Sequence, residues 1–593
     1  MPAPFSKLTI LELGFGAGLN FLRTWELFEK NLGGEGGLLE FISCEKTPLD
    51  KNQIQDALSP FPELKNYLKK LLNHYPIFIP NTSNHYFLPL IPGRVHLHCL
   101  WGDPIKTLKN LETQADAVFF NPPFSRERDF ELVRGFLKNS NPGGVKSKIP
   151  VWFQSAVFSP LCPTGQGPLS CLSREGRDDK QSRVSDDFVS PLAGETGTKV
   201  HLSDREGGIK SIAIIGAGIA GCSMAYVLAH LGCSVTMFDP LGIAQAASGN
   251  PYGLIRPNLT VDNNSSDQFI SQGAYLAINT IQDLMSQGLD LDILFDQVIQ
   301  EVPELRLKKR FKDLIKNKHS AVAQISEDQY QIKPAALISP IKFCEALINS
   351  AQTISEKLGT KFNLIKQRVE KLEYKNNLWN DHFNIMIITA GSEAQRLFPE
   401  DNLNLKNSPG QISLIPVDPG RNSESFKIKI PLCYEGYCFP VINHIQLLGA
   451  TYRATQNLEV STQDHEENLN YLAKVNPVLA DQLRHSEIKS GRVSVRTSSP
   501  DHLPLVGSLI PEKIFKTNYS RLAYGDQYAK YPEPKDWPGL FLSTGHGSKG
   551  LSTSLISAWT IASQIFNLTL PVPVHIYSAV HPARFWVREL KRG

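Results

Sequence analysis

The chain has 593 residues, of which 41% are hydrophobic and 20% charged. That is too long for one hydrophobic core and ordinary in composition for a soluble protein of two or three domains, so a disordered or fibrous class is excluded. A formal net charge of +3 and a pI near 8.2 permit a nucleic-acid partner without requiring one.

No signal peptide is expected, because Met1-Pro-Ala-Pro runs straight into a strand. Strand-like runs at Leu8–Leu13, Leu39–Cys44, Val95–Leu100 and Ala117–Phe120 alternate with helical runs such as Asp50–Leu58 and Glu63–His74. This alternation predicts a parallel sheet with crossover helices. The first strand leads into Glu12-Leu-Gly14-Phe-Gly16-Ala-Gly18, the E-x-G-x-G-x-G arrangement of S-adenosylmethionine (SAM) methyltransferases. Glycines there admit a cofactor close to the backbone. The second strand ends in Glu45, placed to bind ribose hydroxyls. Asp103 follows the third, where an acid meets the adenine amine, and Asn121 closes the fourth, where an acceptor amine would sit.

Periodicity fails from about residue 147 to 208, where runs such as Cys162-Pro-Thr-Gly-Gln-Gly-Pro are polar and turn-rich. A SAM-methyltransferase-like domain over 1–150 and a linker or disordered segment over 151–208 are therefore expected. The last strands of a methyltransferase sheet, due at about 145–205, are expected to be missing, leaving an exposed edge.

A second α/β unit, 209–593, opens with Ile212-Ala-Ile-Ile-Gly216-Ala-Gly218-Ile-Ala-Gly221. In this dinucleotide fingerprint Gly216 allows a tight turn, Gly218 lets the backbone approach a pyrophosphate at the helix N-terminus, and Gly221 permits close helix–strand packing. Asp239, at the end of the next strand, is the expected ribose-binding acid. No Asp, Glu, Lys or Arg occurs from Ser211 to Phe238. The glycines divide that run into a buried strand, a loop and a buried helix, so no membrane span is predicted. Nine cysteines without a C-x-x-C pair or zinc spacing read as reduced thiols of a cytoplasmic protein with no metal site.

Downstream, Gln245-Ala-Ala-Ser248-Gly249-Asn250-Pro-Tyr-Gly-Leu-Ile-Arg256 resembles the FAD-phosphate loop of the D-amino-acid-oxidase-like flavoproteins. The strand, glycine loop and helix start around Gly545, Gly547, Lys549 and Gly550 resemble the loop that closes on the flavin ring in those proteins. A helix N-terminus and a lysine there would stabilise negative charge on reduced flavin. Ile385–Ala390 before Gly391 resembles a further strand beside the cofactor. Arg492 and Arg496, in Gly491-Arg-Val-Ser-Val-Arg-Thr-Ser-Ser-Pro-Asp501-His502-Leu-Pro-Leu505, are either a carboxylate clamp or structural arginines. Asp501 and His502 are read as orienting or packing groups rather than acid/base groups, since flavin amine oxidation needs mainly a deprotonated, aligned amine. The basic, aromatic tail from Ala583 is either a solvated helix or a tRNA contact.

Several strings together closely resemble one family, the bacterial bifunctional enzymes of tRNA 5-methylaminomethyl-2-thiouridine biosynthesis. They are Leu11–Trp25, Phe41–Leu49, Asp116–Phe120, Leu448–Tyr452, Asp464–Asn468 and Asp501–Leu505. The resemblance covers about 8–135 and 209–590. It implies a SAM-methyltransferase Rossmann domain followed by an FAD-binding Rossmann domain with an inserted β-rich substrate domain. It also implies FAD and SAM as cofactors and the wobble uridine of tRNA as substrate. The FAD domain would remove the carboxymethyl group from 5-carboxymethylaminomethyl-uridine, and the SAM domain would methylate the exposed amine. The family carries some sixty residues before the SAM loop, where this chain has nine. It also carries an aspartate after Asp116–Phe120, where this chain has Asn121. An amide accepts a hydrogen bond but is not a base near neutral pH. Weak methyl transfer and intact oxidation are therefore expected. A small-molecule amine or amino-acid oxidase with a relic methyltransferase domain, and a tRNA-binding scaffold, are the competing readings.

Overall fold

The computed structural model describes residues 7–32, 37–76, 84–111, 113–121, 151–153 and 211–592, except 292, 318, 320, 418–427, 454–456, 487–489, 525–530 and 532–535. The chain divides into two compact units, Met1–Gly208 with Phe566–Pro573, and Ile209–Ile565 with Val574–Gly593.

In the first unit, strands β1 (Lys7–Leu13), β2 (Leu38–Glu45), β3 (Asn84–Ile91), β4 (Val95–Trp101), β5 (Ala117–Phe120) and β6 (Val151–Phe153) form one sheet in the order β3-β4-β2-β1-β5-β6. β1, β2 and β4 are almost wholly buried, as parallel strands covered on both faces must be. Helix Lys51–Leu58 starts at a capping box between Asp50 and Gln53, which satisfies two otherwise orphaned amides.

Two expectations need correction here. The sheet is not purely parallel, because β3 pairs antiparallel with β4. Only the short Pro92-Gly93-Arg94 connection joins them, with Gly93 at φ 73, and a parallel pair would need a long crossover. The stretch expected as linker from 151 instead begins with a strand: β6 pairs parallel with β5, Val118 opposite Val151, extending the sheet past β5. The rest of that stretch, 154–208, lies outside the described residues.

The segment Phe566–Pro573 groups with this unit rather than with the one expected over 209–593. The wholly buried Glu40 accounts for it. Its carboxylate accepts the Thr569 amide at 3.0 Å and the Lys7 ammonium at 3.1 Å. Burial opposes its ionisation, but Lys7 and the nearby His98 ring, with Nε2 3.8 Å away, outweigh it and bring the carboxyl down to about 2.

The second unit contains a six-stranded sheet in the order Phe362–Ile365, Val235–Phe238, Ile212–Ile215, Ile385–Ile388, Leu540–Thr544, Leu505–Ser508. Only the last pairing is antiparallel. Helix Ile219–His230 is buried from Ile219 to Ala229, which explains the uncharged run in the sequence. Among the described residues no helix is long and apolar enough to cross a membrane. The β-rich insertion is an eight-stranded sheet with Lys406–Pro416 next to last and Ser490–Ser498 at its edge. Arg492 and Arg496 lie on that edge strand, opposite Ile412 and Ser408, at the even spacing that puts both on one face.

Candidate functional site

The second unit's glycine loop is fixed by backbone contacts that exclude side chains. Gly216 has φ +109, and a Cβ there would lie 2.7 Å from the Thr389 carbonyl oxygen. A Cβ on Gly221 would lie 1.9 Å from the Gly216 carbonyl oxygen. The Thr389 hydroxyl donates to the carbonyls of Ile215 and Gly216 at 2.9 and 3.0 Å. The N-cap of the following helix is Gly218, which supplies no capping side chain, and the Ile219 amide donates to Ser248 Oγ at 3.0 Å. Asp239 accepts the Ala217 amide at 2.8 Å with one oxygen and the amides of Leu241 and Gly242 at 2.8 and 3.0 Å with the other.

Arg492 holds the neighbouring 245–250 loop. Its guanidinium donates to Asn250 Oδ1 at 2.8 Å, to the Gln245 carbonyl at 3.2 Å and to the Ala246 carbonyl. A Cβ on Gly249 would sit 2.6 Å from Arg492 Nη2. These contacts leave Arg492 committed to backbone and amide oxygens rather than open to a carboxylate.

The strand Leu540–Thr544 ends in Gly545 (φ 74) and Gly547 (φ 56), and Gly550 starts the helix that follows. His546 bridges this loop to Ser498 on the arginine-bearing strand. Its ring bonds Thr553 at 2.8 Å and Ser543 at 3.2 Å, and burial brings it down to about 4, so it is neutral at physiological pH. A Cβ on Gly253 would lie 2.6 Å from Leu551, so the strand Gly253–Ile255 delivers Arg256 beside the start of that helix. The Arg256 guanidinium next to Lys549, together with burial, brings the Lys549 ammonium down to about 7, with Cys433 opposing. Neither cation has an ion pair among the described residues. Cys433 links this pair to Tyr437, on which Arg496 and Tyr452 also act electrostatically. Arg496 donates Nη1 to the Thr451 carbonyl at 3.1 Å and stacks on the Tyr452 ring at 4.5 Å. It too has no carboxylate partner among the described residues.

In the first unit, Gly14, Gly16 and Gly18 have φ of 91, 54 and 81. The Gly16 amide donates to Glu45 at 3.1 Å, and Glu45 also takes the Thr47 amide at 2.9 Å. Space beside Gly16 is open, with nothing within 4 Å of a Cβ placed there. Asp103 is exposed and caps the short helix after it through the Lys106 amide. Glu12 is buried and accepts from Asn121 at 2.9 Å, Asn20 at 3.0 Å and Ser43 at 2.7 Å. Burial raises its carboxyl to about 7 against those hydrogen bonds. The Asn121 amide also donates to the Gly14 carbonyl and accepts from Asn20 at 3.2 Å. Asn121 therefore ties the glycine loop to β5.

Residues 211–564 match the family of FAD dependent oxidoreductases. A relative from Ectopseudomonas mendocina, a "tRNA 5-methylaminomethyl-2-thiouridine biosynthesis bifunctional protein MnmC", is 30% identical over 99% of this chain and 91% of its own length. Relatives of the same name are 27% identical in Pseudomonas aeruginosa, over 99% of this chain and 91% of theirs, and 28% identical in Leptospira borgpetersenii, over 98% and 92%. The chain belongs to both families. Among solved structures, glycine oxidase from Geobacillus kaustophilus is similar at 16% identity and a TM-score of 0.49, over 63% of this chain and 98% of that one.

The residues of the second loop fit the FAD that this family uses. Gly216 and Gly221 leave no room for side chains, the N-cap Gly218 has no side chain, and Ser248 lies against the helix start on a loop that Arg492 fixes at Gly249 and Asn250. Of the residues singled out in the sequence, Lys549 and Arg496 share one neighbourhood, whereas Arg492 is spent on the loop. Asp501 packs rather than titrates. Burial opposes its ionisation, but Arg584 at 2.8 Å and Arg588 at 2.6 Å hold its carboxyl well below the usual carboxylate range. Both arginines of the C-terminal helix are thereby engaged, and Trp586 is buried. Sequence reasoning missed Arg256. It stands in the same string as Ser248–Asn250, but nothing local marks it as Lys549's neighbour.

Proposed function

We propose that this chain modifies the wobble uridine of tRNA in two steps, in the cytoplasm where tRNA is processed. The first is FAD-dependent removal of the carboxymethyl group from 5-carboxymethylaminomethyl-(2-thio)uridine, giving 5-aminomethyl-(2-thio)uridine. The second is SAM-dependent methylation of that amine, with Gly14, Gly16, Gly18, Glu45 and Asp103 around the cofactor. The observation that carries the first step is the set of three cations, Arg256, Lys549 and Arg496, that have no carboxylate partner among the described residues and lie beside the flavin-side loop. A glycine-like arm brings one carboxylate, and a guanidinium–carboxylate contact in a partly dehydrated site is strong and directional. Anchored there, the C–N bond of the arm is held toward the loop at Gly545–Gly550.

FAD, when bound, supplies the two-electron oxidation of that C–N bond. Water then adds across the C=N double bond of the oxidised arm and releases glyoxylate, leaving the primary amine on the uridine. The substrate amine must give up its proton for oxidation. An ammonium beside three cations loses a proton more readily than one in water, so the same cluster that holds the carboxylate favours the neutral amine. For the second step, Asn121 has both amide hydrogens engaged and offers no base, so methyl transfer is slow.

The test is anaerobic mixing of the FAD-loaded protein with tRNA carrying 5-carboxymethylaminomethyl-uridine. The oxidised-flavin band should bleach with this tRNA and persist with tRNA carrying 5-aminomethyl-uridine. Equal bleaching by free glycine and by tRNA would contradict the tRNA assignment.

A further inference from the structure

Tyr452 stands out from its surroundings in an unusual way. The residue is 65% exposed, yet the residues on either side are pinned. Thr451 is fully buried and accepts the Gln411 amide at 3.0 Å. Arg453 donates to the carbonyls of Asn457 and Glu459 at 3.0 and 2.8 Å, to Gln411 at 2.8 Å and to Asp464. One face of the Tyr452 ring is covered by the Arg496 guanidinium at 4.5 Å, and Arg496 is itself tied to the Thr451 carbonyl. An exposed tyrosine normally gains nothing from such fixation. Here the guanidinium layer fixes the ring's orientation and leaves the rest of the ring to solvent.

We propose that Tyr452 is the platform on which the uracil ring of the substrate nucleotide stacks. The inference rests on the function proposed above and extends it to how the base is held. Arg496 joins the two halves of the substrate. Its edge belongs to the cation set that takes the carboxylate, and its plane carries Tyr452. The arm between carboxylate and base is short, so a carboxylate anchored at this cluster keeps the base close to Tyr452. Single-stranded RNA bases are commonly read this way, splayed out and stacked on aromatic rings and arginine planes. A stack of base, tyrosine and guanidinium needs no hydrogen bond to the base edge. It therefore accepts uridine and 2-thiouridine alike.

The test is a double-mutant cycle read by tRNA binding to the FAD-loaded protein. One arm compares wild type with Tyr452→Ala, with Tyr452→Trp as the conservative control. The other compares tRNA carrying 5-carboxymethylaminomethyl-uridine with the same tRNA made abasic at the wobble position. Base–aromatic stacking is worth about ten-fold or more in affinity. Tyr452→Ala should weaken the modified tRNA by about that factor, Tyr452→Trp should bind it as wild type does, and neither should alter binding of the abasic tRNA. Equal losses on both tRNAs, or none on either, would overturn the platform. If the wild-type flavin is not bleached by the modified tRNA, the function itself fails. That result is distinct from a bleaching wild type whose two tRNAs respond equally to Tyr452→Ala.

Discussion

The two glycine loops share a plan and differ in what surrounds them. Both follow a buried parallel strand, both open a helix, and both have an acid at the end of the next strand. At Gly216–Gly221 the glycines are demanded by backbone against backbone, and the space beyond is ringed by cations with no carboxylate partner among the described residues. At Gly14–Gly18 the polar side chains nearby bond one another: Glu12 takes Asn20, Ser43 and Asn121, and Asn121 closes onto Gly14. A glycine loop thus marks a nucleotide, whereas chemistry is marked by neighbours whose charge has no internal partner.

The sharpest way to break this comparison is to add a methyl group to each loop. Gly221→Ala places a carbon 1.9 Å from the Gly216 carbonyl oxygen, and neither backbone can yield. The expected outcome is protein purified without FAD, read from the ratio of flavin to protein absorbance. Retention of FAD at the wild-type ratio would refute the packing argument.

Next in size is Lys549→Met. Losing one charged partner of a carboxylate costs about 2–3 kcal/mol, so KM for the modified tRNA should rise by about a hundred-fold. Lys549 titrates near 7 in the free protein. Substrate binding should weaken as pH rises through that value and the ammonium is lost. The variant should lack this limb, and an unchanged pH profile would remove Lys549 from the site.

A third effect belongs to Glu12. Its folded carboxyl titrates near 7, against 4.5 for the unfolded chain. The folded state therefore binds the extra proton between those values, and stability is full below 4.5 and falls as pH rises to 7. The loss is about 3 kcal/mol at 1.36 kcal/mol per pH unit. Hydrogen exchange of the β1 amides should show it, and Glu12→Gln should flatten it. Identical pH dependence in both proteins would show that the Glu12 proton is not held. The smallest effect is Gly16→Ala, where the Cβ meets open space and only the positive φ opposes it, at about 1 kcal/mol. A loss as large as that of Gly221→Ala would erase the distinction between the loops.

Local pattern made much of this legible. Strand, glycine turn, helix and acid are contiguous in sequence at both loops, and Arg492 and Arg496 stand out there as a carboxylate clamp or structural arginines. What stayed hidden is non-local. Whether Arg492 or Arg496 is open depends on the 245–250 loop, some 240 residues away, taking up the first. Asp501 reads from sequence as an orienting or packing group, but nothing local names its partner, Arg584 in the last helix. Glu40 gave no sign in sequence that Thr569 would donate to it. The antiparallel β3 was legible in principle, since Pro92-Gly93-Arg94 is a hairpin turn, but alternating helix and strand signals on either side obscured it.

The central claim is that oxidation proceeds and methylation lags. It is tested most directly by nucleoside mass spectrometry of tRNA carrying 5-carboxymethylaminomethyl-uridine after incubation with the protein, FAD and SAM. The account predicts accumulation of 5-aminomethyl-uridine, with 5-methylaminomethyl-uridine appearing slowly behind it. Recovery of the starting nucleoside untouched from a reaction in which the protein holds FAD would contradict it.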